Sequence, residues 1–205
     1  MDIVDGRYAA PASWPYVHGG TPFDADCILP HLDDMHIELD LMVRDPEQVT
    51  GSWIEAGATR VLIHVASTTY LPRVVTDFKR KYGHEKGFAT NFLSFGLALT
   101  LDTELEALDA YIEDIDYVQF MGIKSIGHQG EPFVPEVLKR INVFRHRHPG
   151  VPIQVDGGVN FESAPLLLTA GVSRLVVGSA LWRAPNLLEA YEQFVQLTEE
   201  HGLFE

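Results

Sequence analysis

The chain is short of cations. Its 205 residues hold 15 Lys and Arg against 29 Asp and Glu, for a formal net charge of −14. The basic residues form no run or stripe, so neither nucleic acid nor a membrane is an expected partner. An anionic substrate stays open, provided that local backbone N–H groups hold it against the global field. Cysteine is almost absent too. Cys27 alone excludes an internal disulfide and fits a reducing compartment. It reads as a small buried hydrophobe, since nothing nearby activates a thiol. No apolar run reaches membrane-spanning length, and MDIVDGRY lacks the charged and apolar regions of a signal peptide, so the expected location is cytoplasmic. No GxGxxG follows a first strand, which weakens a dinucleotide-binding reading.

What is present is a 46% hydrophobic chain long enough to bury a sizeable core as a single domain over 1–205. Apolar, β-branched runs alternate with amphipathic stretches. Strands are predicted at Met1–Val4, Met35–Val43, Thr59–Val65, Asn91–Leu99, Tyr117–Ile123, Val151–Asp156 and Leu175–Leu181. Arg7–Thr21 reads as a long loop, and Pro22–Leu32 as a short helix. Helices are predicted in PEQVTGSWIEAG, capped by Asp45 and closed by Gly57, in TTYLPRVVTDFKRKYG, and at Asp102–Ile112 and Pro135–His146. FESAPLLLTAG and APNLLEAYEQFVQLTEEHG complete the set. Strict alternation means parallel pairing with right-handed crossovers, and a 25–30-residue repeat (roughly) matches the unit of a TIM-type (β/α)8 barrel. Seven strands are counted where such a barrel has eight. An open side of this kind exposes strand edges, so a homo-oligomer is expected.

The chain is organised around VPIQVDGGVN at Val151–Asn160 and its echo LVVGSAL. Each is a buried-strand run that ends in small residues. In the first, Asp156 stands where the apolar run stops, two glycines follow, and Asn160 caps the next helix. A carboxylate at a strand end, followed by glycines and a helix start, is how α/β enzymes place chemistry and bind phosphate. A plain strand–turn–helix connection with Asp156 as a turn residue is the alternative.

GLALTLDTELEALDAYIEDIDYVQFMGI, PFVPEVLKRI, PGVPIQVDGGVNFESAPLLLTAG and VVGSAL, in that order, resemble the ribulose-phosphate 3-epimerase family. DLMVRDPEQVTGSWIEAGATRVLIHV looks like that family's HLMV-to-HVE segment, and MDIVDG like its DVMDG strand end. The resemblance starts at the family's second strand, so it implies a ribulose-phosphate-binding barrel whose first strand and helix have no counterpart here. It also implies interconversion of D-ribulose 5-phosphate and D-xylulose 5-phosphate. Two aspartates, Asp2 and Asp156 by position, would move a proton at C3 through an enediolate. In this family a divalent ion is held by two aspartates and two histidines. Neither histidine has a counterpart: one position precedes Met1, and the other is Asp40. What matches is Asp2, Asp40 and Asp156, an all-oxygen set better suited to Mg or Mn than to Zn, with Fe also open. No metal at all, with Asp40 a plain strand-end carboxylate, is the other reading.

Phosphate is expected at Gly157, Gly158, Gly178 and Ser179, where glycine lets the backbone approach an anion. Tight strand–helix packing is the alternative for these glycines. The loop after the sixth family strand reads IGHQGEPF in place of PGFGGQKF. Gly127 and Gly130 keep lid flexibility, and Gln129 is a substrate contact by position. Lys124 reads as solvated, with neutralisation of phosphate as the alternative. Met42 and Met121 match methionines that floor the pocket, with core packing as the equal alternative. His64 matches a family histidine facing the mouth, or is a satisfied core histidine. A phosphosugar-binding barrel without turnover, and an epimerase or lyase for another phosphoketose, are the competing functions.

Overall fold

The computed structural model describes residues 1–17, 28–83 and 93–202. Cys27, most of the helix predicted over Pro22–Leu32, and the first residues of the strand predicted from Asn91 lie outside them. The described part of that helix, Ile28–Leu32, is not helical. Two compact units emerge, Met1–Ala98 with Glu106–Asp116, and Leu99–Leu105 with Tyr117–Glu205.

The first unit is built on four parallel strands in the order β1 (Asp2–Val4), β2 (Glu38–Met42), β3 (Arg60–His64) and β4 (Ser94–Leu99). Register pairs Asp2 with Asp40, Asp40 with Leu62, and His64 with Ala98. Both faces are dry: Leu39, Leu41, Val61, Ile63, Phe95 and Leu97 are buried on one, and Met42, Leu62 and Ala98 on the other, as continuous apolar strands require. Helix α1 (Thr50–Glu55) buries Trp53, and α2 (Leu71–Tyr82) buries Leu71, Val74, Val75 and Phe78. That i, i+3, i+4, i+7 spacing lays one apolar stripe on the sheet, where Phe78 stacks on Phe95 with ring centroids 4.3 Å apart. The outer edge of β1 is not bare. Ser13 donates its N–H to the Val4 carbonyl, and its hydroxyl accepts from Val4 N–H, each at 2.9 Å.

Two sequence expectations are corrected in this part of the chain. Asp45 does not cap with its side chain. It sits in the left-handed region at φ 53°, and its backbone carbonyl accepts from Gln48 N–H at 3.1 Å. The chain then forms a 3-10 turn, Pro46–Gln48, before α1 begins. Asp102–Ile112 is not an α-helix but two 3-10 turns, Leu105–Leu108 and Ile112–Asp114. The Arg140 guanidinium accounts for the late start. It donates to the carbonyls of Leu101 and Thr103, which are acceptors that an α-helix begun at Asp102 needs. Glu113 and Asp114 at the far end also oppose a helix dipole.

The second unit has three parallel strands in the order β5 (Tyr117–Met121), β6 (Ile153–Asp156) and β7 (Arg174–Val176). Register pairs Met121 with Asp156, and Asp156 with Val176. Helices α3 (Glu136–Arg147), α4 (Ser163–Thr169), α5 (Ser179–Trp182) and α6 (Leu187–His201) surround them. Asn160 opens the α4 turn as expected: its Oδ1 accepts from the N–H groups of Glu162 and Ser163 at 2.8 and 2.9 Å. Asn186 does the same for α6, accepting from Glu189 N–H. Among the described residues no helix is long and apolar enough to cross a membrane.

Candidate active site

In the first unit the chemistry-bearing side chains share one face of the sheet. Asp2 and Asp40 are register partners, and side chains alternate along a strand, so Met42 follows Asp40 on that face. The ladder bonds Asp40 N–H to the Met1 carbonyl at 3.0 Å, which holds Asp2 in place. The residue Asp2 is exposed as a whole, yet atoms crowd its carboxyl. Desolvation first, and then the neighbouring Asp40 charge, hold that carboxyl above its ordinary range, against the pull of the N-terminal ammonium and His64.

Asp40 is 5% exposed and His64 is not exposed at all. Nε2 of His64 lies 2.9 Å from Asp40 Oδ1. The Tyr8 ring packs on the imidazole at 5.3 Å between centroids, tilted by 55°. Its phenol is held above the ordinary range, by desolvation first and then by Asp40. Tyr8 was not visible as a site residue in the sequence, because it lies in a loop and meets His64 only through the fold. Asp5 sets that loop. One carboxylate oxygen accepts from the N–H groups of Arg7 and Tyr8 at 2.7 and 2.8 Å, and the other accepts from Arg44 N–H at 2.8 Å. Met42 is buried.

In the second unit Asp156 ends β6 and is half-buried, with Met121 beside it in register. Beneath them runs a buried amide chain. Arg174 Nη1 donates to Gln154 Oε1 at 2.9 Å, Gln154 Nε2 to Gln119 Oε1 at 2.7 Å, and Gln119 Nε2 to the Met121 sulfur at 3.3 Å. Met121 is therefore more than apolar filler, since its thioether takes an N–H.

The glycines after β6 are under steric command. Gly157 and Gly158 have φ of 91° and 70°. A Cβ on Gly157 would lie 2.6 Å from the Ile123 side chain, and one on Gly158 would lie 2.6 Å from the Phe133 backbone. Tight packing thus explains both positions by itself, and an anion role is additional to it. After β7, Gly178 precedes Ser179, the first residue of α5. The Gln129 amide stands beside Gly178, 3.9 Å from where its Cβ would be, so the loop after β5 reaches the loop after β7. Gly127 and Gly130 take the positive φ values, 87° and 84°, that this loop needs. Arg183, which sequence reasoning passed over, lays its guanidinium against Gly130, 2.8 Å from the ideal Cβ position. It is a cation within reach of that loop in an otherwise acidic chain.

Comparison with known proteins identifies the family. Residues 2–182 match the model of the Ribulose-phosphate 3 epimerase family. A ribulose-phosphate 3-epimerase from Bacillus subtilis (strain 168) is 27% identical over 187 residues, 89% of this chain and 78% of its own length. The chloroplastic ribulose-5-phosphate-3-epimerase of Arabidopsis thaliana is 31% identical over 196 residues, 93% of this chain and 63% of that protein. Among solved structures, KGPDC from Streptococcus mutans is similar with a TM-score of 0.64. That likeness has 15% identity and covers 82% of this chain and 75% of that one. At such identity it shows the fold alone, a TIM-type α/β architecture, of which seven parallel strands occur among the described residues. On the family match, the chain belongs to the ribulose-phosphate 3-epimerase family, an enzyme family acting on carbohydrates.

Proposed function

We propose that the chain epimerises a phosphoketose at C3, with D-ribulose 5-phosphate and D-xylulose 5-phosphate as the interconverted pair. The observation that carries this reading is the family match over residues 2–182, with carboxylates at both matched acid/base positions, Asp2 and Asp156. A proton leaves C3, the electron pair delocalises into the neighbouring carbonyl as an enediolate, and a proton returns to the opposite face. One of the two carboxylates is protonated while the other is ionised, so that Asp2 and Asp156 serve as acid and base in turn. Their roles exchange in the reverse direction, as proton transfer by a matched acid and base requires. Backbone N–H groups at Gly157, Gly158, Gly178 and Ser179 take the phosphate, with Gln129 closing over it.

The metal reading rests on donor chemistry. Asp2 and Asp40 are adjacent carboxylates whose mutual repulsion a cation relieves, and oxygen donors suit a hard divalent ion such as Mg or Mn. Asp156 is the third ligand by family position. Such an ion, when bound, stabilises the negative charge that develops on the substrate oxygens. We read the chain as a homo-oligomer acting on a small phosphosugar in the cytoplasm. Exposed Trp182, Leu188 and Tyr191 supply apolar surface for self-association.

The test is exchange of the C3 proton of ribulose 5-phosphate with solvent deuterium, followed by NMR with added Mg or Mn. Wild type is expected to exchange, and Asp156→Asn is not. Absence of exchange in both, with phosphosugar binding retained, establishes a binding barrel without turnover. Exchange with a different phosphoketose alone reassigns the substrate.

A further inference from the structure

His64 is an expensive residue to keep where it is. It is wholly buried at the end of β3, and its Nδ1 has no hydrogen-bond partner. An unpaired buried N–H costs about 1–3 kcal/mol, so the ring carries its proton on the other nitrogen. Nε2–H therefore donates to Asp40 Oδ1 across the 2.9 Å contact. The Tyr8 ring closes the imidazole's face at 5.3 Å, so the ring is fixed against rotation.

Stability does not account for this pair. A buried ionic or polar pair is weak evidence for stabilisation, because a well-packed apolar residue of similar volume serves as well or better. What the pair accomplishes is geometric. Asp40 faces Asp2 across the β1–β2 ladder, and two like charges left to themselves turn apart. A donated N–H at Oδ1 pins the Asp40 carboxylate on the face that it shares with its register partner Asp2.

We propose that His64 is a positioning residue for a hard divalent cation, locking Asp40 in the rotamer that lets Asp40 and Asp2 share one ion. This inference rests on the metal reading given under the proposed function. It assigns His64 to the support of a ligand and not to the substrate. Support of this kind is worth about 10–100-fold in metal affinity.

The experiment is a Mn2+ titration of the purified full chain, with free Mn2+ read by its EPR signal, and no turnover is involved. Wild type, His64→Leu, His64→Gln and His64→Asn are compared. Loss of about 10–100-fold in affinity is expected for His64→Leu and His64→Asn. His64→Gln, whose longer amide reaches Asp40 from near the Nε2 position, is expected to recover most of that loss. A merely structural histidine gives no such ordering. Should His64→Leu fail to fold, the Gln and Asn pair carries the comparison. Wild-type affinity in His64→Leu, or His64→Gln no better than His64→Asn, overturns the positioning role and leaves the metal reading standing. If wild type itself binds no Mn2+, both fall together.

Discussion

The two units hold their chemistry by different means. In the first, charged and titratable side chains project from the strands themselves, and Asp2, Asp40 and His64 constrain one another directly. In the second, the buried strand side chains form an amide chain, Gln154 to Gln119 to Met121, fed by the Arg174 guanidinium. Asp156 stands at the end of β6, and the positions expected to meet phosphate sit in the loops that follow. A charged cluster is held by electrostatics and by the Asp40–His64 hydrogen bond. A loop cluster is held by steric exclusion, where a single added methyl group is too much. The first arrangement is therefore sensitive to protonation and ions, and the second to volume.

The largest effect expected is chemical. Asp156→Asn removes a carboxylate from the proposed proton transfer, and C3 exchange should fall by about 10²–10⁴-fold. Steric effects come next. Gly158→Ala places a methyl group 2.6 Å from the Phe133 backbone at a φ of 70°, and should cost about 1–3 kcal/mol in urea unfolding. Gly157→Ala meets the Ile123 side chain at Cγ1, Cδ1 and Cγ2 and no backbone atom nearer, and a side chain shifts more readily than backbone, so it should cost less. Equal costs at both glycines contradict the distinction between backbone and side-chain obstruction.

The amide chain offers a double-mutant test of comparable size. Gln154→Leu removes the bonds that Gln154 makes to Gln119 and Arg174 and should cost about 1–3 kcal/mol. The double change with Gln119→Leu should cost less than the sum of the two single changes, since the shared bond is lost only once. Strict additivity shows that the two amides do not depend on each other.

The smallest effect is the pH dependence of the first unit. The carboxyl of Asp2 is raised above its ordinary 3.8 in the folded chain. The native state thus binds more protons than the unfolded state between 3.8 and the raised value. Stability falls as pH rises through that window and stays lower above it. In chelator-treated buffer, Asp2→Asn should therefore melt above wild type at neutral pH, and the advantage should vanish on the acid side of the window. An advantage independent of pH points to packing and not to charge.

These contrasts also explain what the sequence made legible. All seven strands were readable, because buried parallel strands are continuous apolar runs. The last was read too far, since β7 ends at Val176 and Ser179–Leu181 of the expected strand belong to helix α5, which a short apolar run cannot distinguish from strand. Asp156 and its glycines stood out because their spacing is local. The Asp40–His64 contact spans 24 residues, and Tyr8 meets it from a loop, so no window of sequence contains the cluster. The failed helix at Asp102–Ile112 has the same origin. Its apolar spacing is helical, but Arg140, on a later element, takes the carbonyls that the helix needs. Arg183 escaped notice for the opposite reason: it matches no motif, and only the folded loop brings it to Gly130.

The carboxylate of Asp5 has a consequence for motion. It gathers N–H groups from Arg7, Tyr8 and Arg44, the last of them 39 residues away. These three amides cannot become accessible to solvent one at a time without leaving Asp5 partly unpaired. They should behave as one opening unit in hydrogen exchange, with a shared free energy. The Tyr8 ring that covers His64 is tethered to the same unit, so the rate at which that latch releases sets how often the imidazole is uncovered.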